Sequence, residues 1–183
     1  MSPMDEADDF ALVPRPPGAL EKAEPDGKRI LSGMVSDTLA LARNDSSLRT
    51  RPLRIVTMDD EPFMGEAMKM MLRFDLPNAE ILNFTDAEAA LEELEREAPD
   101  LFTTDWHHPG MLNGDGLLRI LASWVVKYPI FVISASAESL EASGMVKEYA
   151  DRGLNVTLLS KPFLLHDLRR LMSAHLGSEY GRI

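Results

Sequence analysis

Five short apolar runs alternate along the chain with segments whose apolar residues recur at helical spacing. The runs are Leu53–Met58, Ala79–Phe84, Leu101–Thr104, Ile130–Ile133 and Val156–Leu159. Each is short, bounded by polar or turn residues and rich in β-formers, the pattern of a strand. Ile130–Ile133 is apolar throughout, as a strand covered on both faces must be. The first helical segment opens at Pro62, which suits a first helical turn, and carries Phe63, Ala67, Met68, Met71 and Leu72. The second follows Thr85-Asp86-Ala87-Glu88, where Thr85 and Glu88 have capping-box spacing, and runs through Ala89, Ala90, Leu91 and Leu94 towards Pro99. The third takes in Leu117, Leu118, Ile120, Leu121, Trp124 and Val125 and ends around Lys127-Tyr128-Pro129. A single helix is predicted over Ser139–Arg152, with Gly153 as its C-terminal cap. The last carries Leu165, Leu168, Leu171, Met172 and Leu176 and stops at Gly177.

Strand and helix in strict alternation, with short connections, specify parallel strands joined by right-handed crossovers. The predicted fold is α/β, a doubly wound five-stranded parallel sheet in the flavodoxin-like order 2-1-3-4-5. The loop after the first strand has neither a Gly-x-Gly-x-x-Gly nor a Gly-x-x-x-x-Gly-Lys pattern, so dinucleotide and Walker-type nucleotide binding lack support. Met64, Met68, Met70 and Met71 suit adaptable core filler better than a metal site.

Ahead of this unit the pattern changes. Residues 1–29 are acidic and Pro-rich without a sustained period, the composition of a flexible tail. Residues 30–50 hold an amphipathic helix, with Leu31, Met34, Val35, Leu39 and Ala42 at helical spacing over 30–42, followed by a linker. The domain proper is expected over 51–177, with a tail at 178–183. The apolar side of 30–42 needs a partner: its own domain, a second subunit in a homodimer, or another protein.

A net charge of -11 disfavours sequence-independent nucleic-acid binding, which depends on clustered cations. Cysteine is absent, which removes disulfides, thiolate catalysis and Cys-based zinc sites. Neither a signal peptide nor an apolar membrane span is visible, and a cytoplasmic location is expected.

The candidate chemistry lies where the runs end. Asp59-Asp60 follow the first, Asp105 the third, Ser134 the fourth and Lys161 the fifth. Taking the odd strands as neighbours, the pattern brings three carboxylates and an ammonium to the carboxyl edge of the sheet, where open α/β sheets bind ligands. Convergent carboxylates repel unless a cation is present. Mg²⁺ suits them, because it needs few carboxylates, keeps waters and adds a phosphate oxygen. His107 and His108 do not suggest zinc, since adjacent side chains diverge and no tetrahedral set is completed nearby.

Asp59-Asp60, Asp105 with Pro109-Gly110-Met111 and Gly114, Ser134-Ala135 and Lys161-Pro162-Phe163 together resemble the receiver domain of two-component response regulators. The resemblance implies that Asp105 is the phosphoacceptor, that Asp60 binds Mg²⁺ directly and Asp59 largely through water, and that the backbone carbonyl of His107 adds a metal oxygen. Ser134 and Lys161 would then contact the phosphoryl oxygens. The implied partners are a histidine kinase or phosphotransfer protein and a downstream protein target, with no nucleic acid or membrane. No room for an effector domain is seen after Lys161, so a stand-alone, non-enzymatic switch is expected. A phosphorylation-independent adaptor of the same fold is the alternative. Three features depart from the family pattern: Leu158 stands where an aromatic is common, the loop after Asp105 is one residue longer, and the segment between Ser134 and Lys161 is long.

Overall fold

In a computed structural model, residues 51–108 and 112–177 are described. The predicted tail 1–29, the helix 30–42 with its linker to residue 50, Pro109-Gly110-Met111 and the tail 178–183 lie outside the described residues. The elements run β1 (Arg54–Met58), α1 (Pro62–Asp75), β2 (Glu80–Phe84), α2 (Ala87–Arg96), β3 (Leu101–Asp105), α3 (Gly114–Ser123), β4 (Pro129–Ser134), α4 (Ala137–Ala142), α5 (Met145–Asp151), β5 (Asn155–Ser160) and α6 (Leu165–Leu176). The five strands form one parallel sheet in the predicted order β2-β1-β3-β4-β5.

Every residue of β1, β3 and β4 is buried, whereas β2 and β5 at the edges are only partly covered. Successive side chains on a strand point to opposite faces, so each central strand feeds two cores. Ile55, Leu101, Phe131 and Ile133 meet Met68 and Leu72 of α1 and Leu168 and Met172 of α6 on one face. Val56, Met58, Phe102, Ile130 and Val132 meet α2, α3 and α5 on the other. Because both faces are covered, the interiors of these strands are mostly apolar, with only the small hydroxyls of Thr57, Thr103 and Thr104 among them.

Several helix details differ from the sequence pattern. Ser139–Arg152 is two helices, because Gly144 takes a left-handed φ of 80° that ends α4 and starts α5. The third helix ends at Ser123 rather than near Lys127, and Val125 sits at φ 56°, costly for a β-branched residue. The N-cap of α2 is Asp86, not Thr85: its carboxylate accepts the Ala89 N–H at 3.2 Å. On α1, Phe63 and Met70 are 80% and 72% exposed, so neither belongs to the core. Among the described residues no helix is long and apolar enough to cross a membrane.

The amino edge of the sheet carries a buried cation that the apolar pattern hid. Arg54 opens β1 with 1% exposure. Its guanidinium bonds Glu93 of α2, donates to the Glu97 carbonyl at 3.2 Å and lies 3.4 and 3.3 Å from the Glu80 and Glu97 carboxylates. Burial alone pushes the Glu93 carboxyl up, but its bonds to Arg96 and Arg54 prevail and hold it below the ordinary range. Truncating one partner of a buried ion pair leaves the other uncompensated. Arg54→Ala is therefore expected to cost about 3–5 kcal/mol in urea unfolding, with Arg54→Met recovering much of it only when Glu93→Leu removes the stranded carboxylate as well.

His175 of α6 packs edge-on against Phe131, 5.4 Å between centroids, and its Nε2 lies 3.0 Å from Thr157 Oγ1. Partial burial disfavours the charged ring and lowers its pKa from the usual 6.5. The unfolded chain then binds the proton more readily, so the stability from neutral His175 is complete above 6.5 and is lost as pH falls through the lower folded value. The melting temperature should drop between pH 7.5 and 5.5 by more in the wild type than in His175→Gln, the pH values being about one unit either side of the reference pKa.

Candidate functional site

The strand registers bring four loop entries to one edge. Met58 pairs with Thr104, which sets Asp59 beside Asp105; Asp105 pairs with Ile133, so Ser134 lies one residue beyond; Ser134 pairs with Ser160, so Lys161 follows. The odd strands are not all neighbours: β1 adjoins β3, but β4 lies between β3 and β5. Lys161 reaches past the end of β4, and its backbone N–H is anchored to the Ser134 carbonyl at 2.9 Å.

Its ammonium joins the two acids. Lys161 Nζ donates to Asp105 Oδ1 at 2.8 Å and to Asp59 Oδ2 at 3.0 Å. Burial opposes its charge, but the hydrogen bonds it donates to Asp105 and Asp59 outweigh burial and hold the lysine pKa above its usual value. The remaining carboxylate oxygens are also engaged. Asp105 Oδ2 accepts the His107 N–H at 3.0 Å, and Asp59 Oδ1 accepts the Glu61 N–H at 3.0 Å. Asp105 is 6% exposed, so it is a sheltered carboxylate within reach of the edge, not a solvated turn residue.

The predicted convergence of three carboxylates is narrower than expected: Asp59 and Asp105 share Lys161, while Asp60 is half-buried in the following loop and takes part in none of these bonds. Among the described residues, no three His, Asp or Glu side chains are gathered as a metal cluster. The available donors are carboxylate and carbonyl oxygens of Asp59, Asp60, Asp105 and His107, hard ligands that suit Mg²⁺, which asks for only one or two carboxylates. His107 and His108 do diverge, the first exposed and the second buried.

Ser134 is fully buried at the end of β4. Its Oγ accepts the Ser136 N–H at 3.0 Å and lies 3.0 Å from Ser136 Oγ, which in turn is 2.7 Å from His107 Nε2. Ser136 and the His107 ring were not among the sequence candidates. The signal for Ser136, its two-residue spacing from Ser134, looks the same as an ordinary helix entry. A small cavity of about 30 Å³ under α1, walled by Met64, Met68, Met71, Ile133 and Phe163, reaches Asp59 and Lys161.

The family model for the response regulator receiver domain matches residues 55–173, well over half of the chain. The chain belongs to the response regulator receiver domain family. This receiver domain is 35% identical over 118 residues to a protein-glutamate methylesterase/protein-glutamine glutaminase 5 of Anaeromyxobacter dehalogenans, covering 62% of this chain and 30% of that protein. It is 24% identical to the transcriptional regulatory protein TrcR of Mycobacterium tuberculosis, covering 64% of this chain and 42% of that one. The chain thus spans less than half the length of these curated relatives. A CheY-like receiver domain protein of Methanospirillum hungatei superposes with a TM-score of 0.58 at 23% identity, covering 70% of this chain and 96% of that one. The Francisella response regulator 1452 receiver domain gives 0.55 at 22%, again over 70% and 96%. At such identities the structures show the shared fold.

The receiver's loop after Asp105 depends on one glycine. A Cβ on Gly114 would lie 2.7 Å from Trp106 Cε3 and 2.8 Å from the Trp106 carbonyl oxygen, which accepts the Gly114 N–H at 3.3 Å. Gly114→Ala should therefore destabilise the domain by about 1–3 kcal/mol in denaturant unfolding. Adding Trp106→Ala should restore only part of that, since the clash with the backbone carbonyl stays.

Proposed function

We propose that this receiver, over residues 51–177, is a phosphorylation-controlled switch in which Asp105 accepts a phosphoryl group from a histidine kinase or histidine phosphotransfer protein. The observation that carries the reading is Lys161 Nζ bridging Asp105 and Asp59 at a buried sheet edge. An Asp105 carboxylate oxygen attacks phosphorus in line; the new O–P bond forms as the N–P bond of the ring-protonated phosphohistidine breaks, and the imidazole leaves neutral, with the bonding pair on that nitrogen and its existing proton on the other. Asp59, Asp60 and the His107 carbonyl are the groups that would hold Mg²⁺, with Asp105 supplying a further oxygen. When bound, Mg²⁺ neutralises charge on the transferred group. Lys161 pairs with one phosphoryl oxygen and Ser134 donates its hydroxyl to another. Hydrolysis of the acyl phosphate returns the carboxylate.

The step modifies the protein itself and turns over no external substrate. Its output is altered binding of a downstream protein in the cytoplasm, through the surface around α4, α5, β5 and α6. Leu158, half-buried on β5, replaces an aromatic there, so coupling to that surface is built differently.

Incubation with Mg²⁺ and a small acyl phosphate should add one phosphoryl group to the intact protein, seen as an acid-stable, base-labile mass gain. Asp105→Asn should abolish it, and chelating the metal should suppress it. The same gain in Asp105→Asn overturns the assignment; no gain in the wild type favours a phosphorylation-independent adaptor.

A further inference from the structure

The helix α1 has two apolar sides. Gly65, Met68 and Leu72 face the sheet and are buried. Phe63, Met70 and Phe74 stand at i, i+7 and i+11, with Ala67 between them at i+4, and so form a second stripe along the outer side. Their exposures are 80%, 72% and 74%. A helix apolar on both sides is ordinarily covered on both. The stripe is held in place at one end: Arg169 lies 5.6 Å over the Phe74 ring and is locked by two 2.7 Å bonds to Asp75.

The chain carries a segment that matches this stripe. Leu31, Met34, Val35, Leu39 and Ala42 make one apolar side of the helix predicted over 30–42, with Ser36 and Asp37 opposite. From Leu31 to Ala42 is eleven residues, as from Phe63 to Phe74, so both stripes are about 16 Å long at 1.5 Å per residue. A helix this short, with Gly33 inside it, is marginal alone and needs a surface to form on.

The tether also fits. The chain enters the domain at Arg51, and the Leu53 carbonyl accepts the Glu80 N–H at 2.8 Å, beside the Leu76–Ala79 turn that follows α1. The entry point is therefore at the Phe74 end of the stripe. Residues 43–50 can extend by about 26–29 Å, ample for the segment to lie along α1 in the same direction. A tether this short gives an effective concentration near the millimolar range, well above a micromolar second copy.

We infer that residues 30–42 dock as a helix on the Phe63–Met70–Phe74 stripe of their own chain. The interface is apolar and intramolecular.

The absence of cysteine makes a thiol test clean. Val35→Cys is combined with Met70→Cys on the stripe or, as a control, with Glu92→Cys on exposed α2, in the full chain at micromolar concentration with a short bismaleimide. The expected result is a monomeric cross-linked product for the stripe pair and little for the control. Adding Phe63→Ser and Phe74→Ser should slow the stripe cross-link at least about tenfold towards the rate of an undocked tether, with the domain still folded by circular dichroism. Cross-linked dimers as the main product would show that a second copy takes the stripe and overturn the proposal. Equal cross-linking of both pairs, no stripe cross-link, or indifference to the serine variants would overturn it as well.

Discussion

The lysine ammonium held between two carboxylates is the interaction on which the carboxyl edge of the sheet depends. Asp59 and Asp105 come from adjacent strands whose register sets them side by side, and leaving two such acids together in a sheltered place is unfavourable. Lys161 offsets the repulsion with one charge and two hydrogen bonds, at 2.8 and 3.0 Å. It can do so only because β5 ends at Ser160 and the Lys161 N–H is pinned to the Ser134 carbonyl. Four strands in one register are thus needed to place a single cation. Any change of charge at Asp105 must be felt by Lys161, and through it by Asp59 and the loop that β5 leads into.

The opposite edge of the sheet solves a related problem with the same device. Arg54 opens β1 buried among Glu80, Glu93 and Glu97, while its backbone N–H donates to Asp100 Oδ2 at 2.9 Å. Charged groups are thereby confined to the two ends of the strands. The middle of the central strands stays nearly free of charge, and the two apolar cores remain continuous on either face. The consequence is a rigid slab with polar clusters at each edge. This is the arrangement that lets one edge carry chemistry without weakening the packing beneath it.

The strand order and the placement of Asp59, Asp105, Ser134 and Lys161 along one edge were legible in the sequence because burial on both faces makes central strands read as apolar runs, and the polar residues just after each run mark its end. What the runs could not convey is distance. The pattern treated the odd strands as neighbours, yet Lys161 reaches past β4, and Asp60 stands apart from the pair that its neighbour Asp59 makes with Asp105. Helix boundaries failed where backbone geometry, not hydrophobicity, decided: Gly144 and Val125 both take positive φ within apolar patterns that continue past them. Phe63 and Met70 were counted with the core face of α1 because composition says nothing about which apolar residues lack a neighbour. Arg54 was missed for the converse reason, a charged residue being counted as exposed unless its several carboxylate partners, all distant in sequence, are known.

Beyond Asp105 the loop is tied to β4 by a chain of hydroxyls whose direction matters. Ser134 Oγ accepts the Ser136 N–H, so its own proton is free to donate. If His107 Nε2 is the unprotonated ring nitrogen, it accepts from Ser136, and Ser136 Oγ then accepts the Ser134 proton. In the other tautomer Nε2–H donates to Ser136, which can donate to Ser134 and leave the Ser134 proton available. The Ser134 proton is therefore either engaged or available according to the tautomer of an exposed imidazole two residues beyond Asp105. The same residue's N–H already holds Asp105 Oδ2 at 3.0 Å. His107 thus touches the Asp105 carboxylate through its backbone and, by way of Ser136, the Ser134 hydroxyl through its side chain, coupling the two groups.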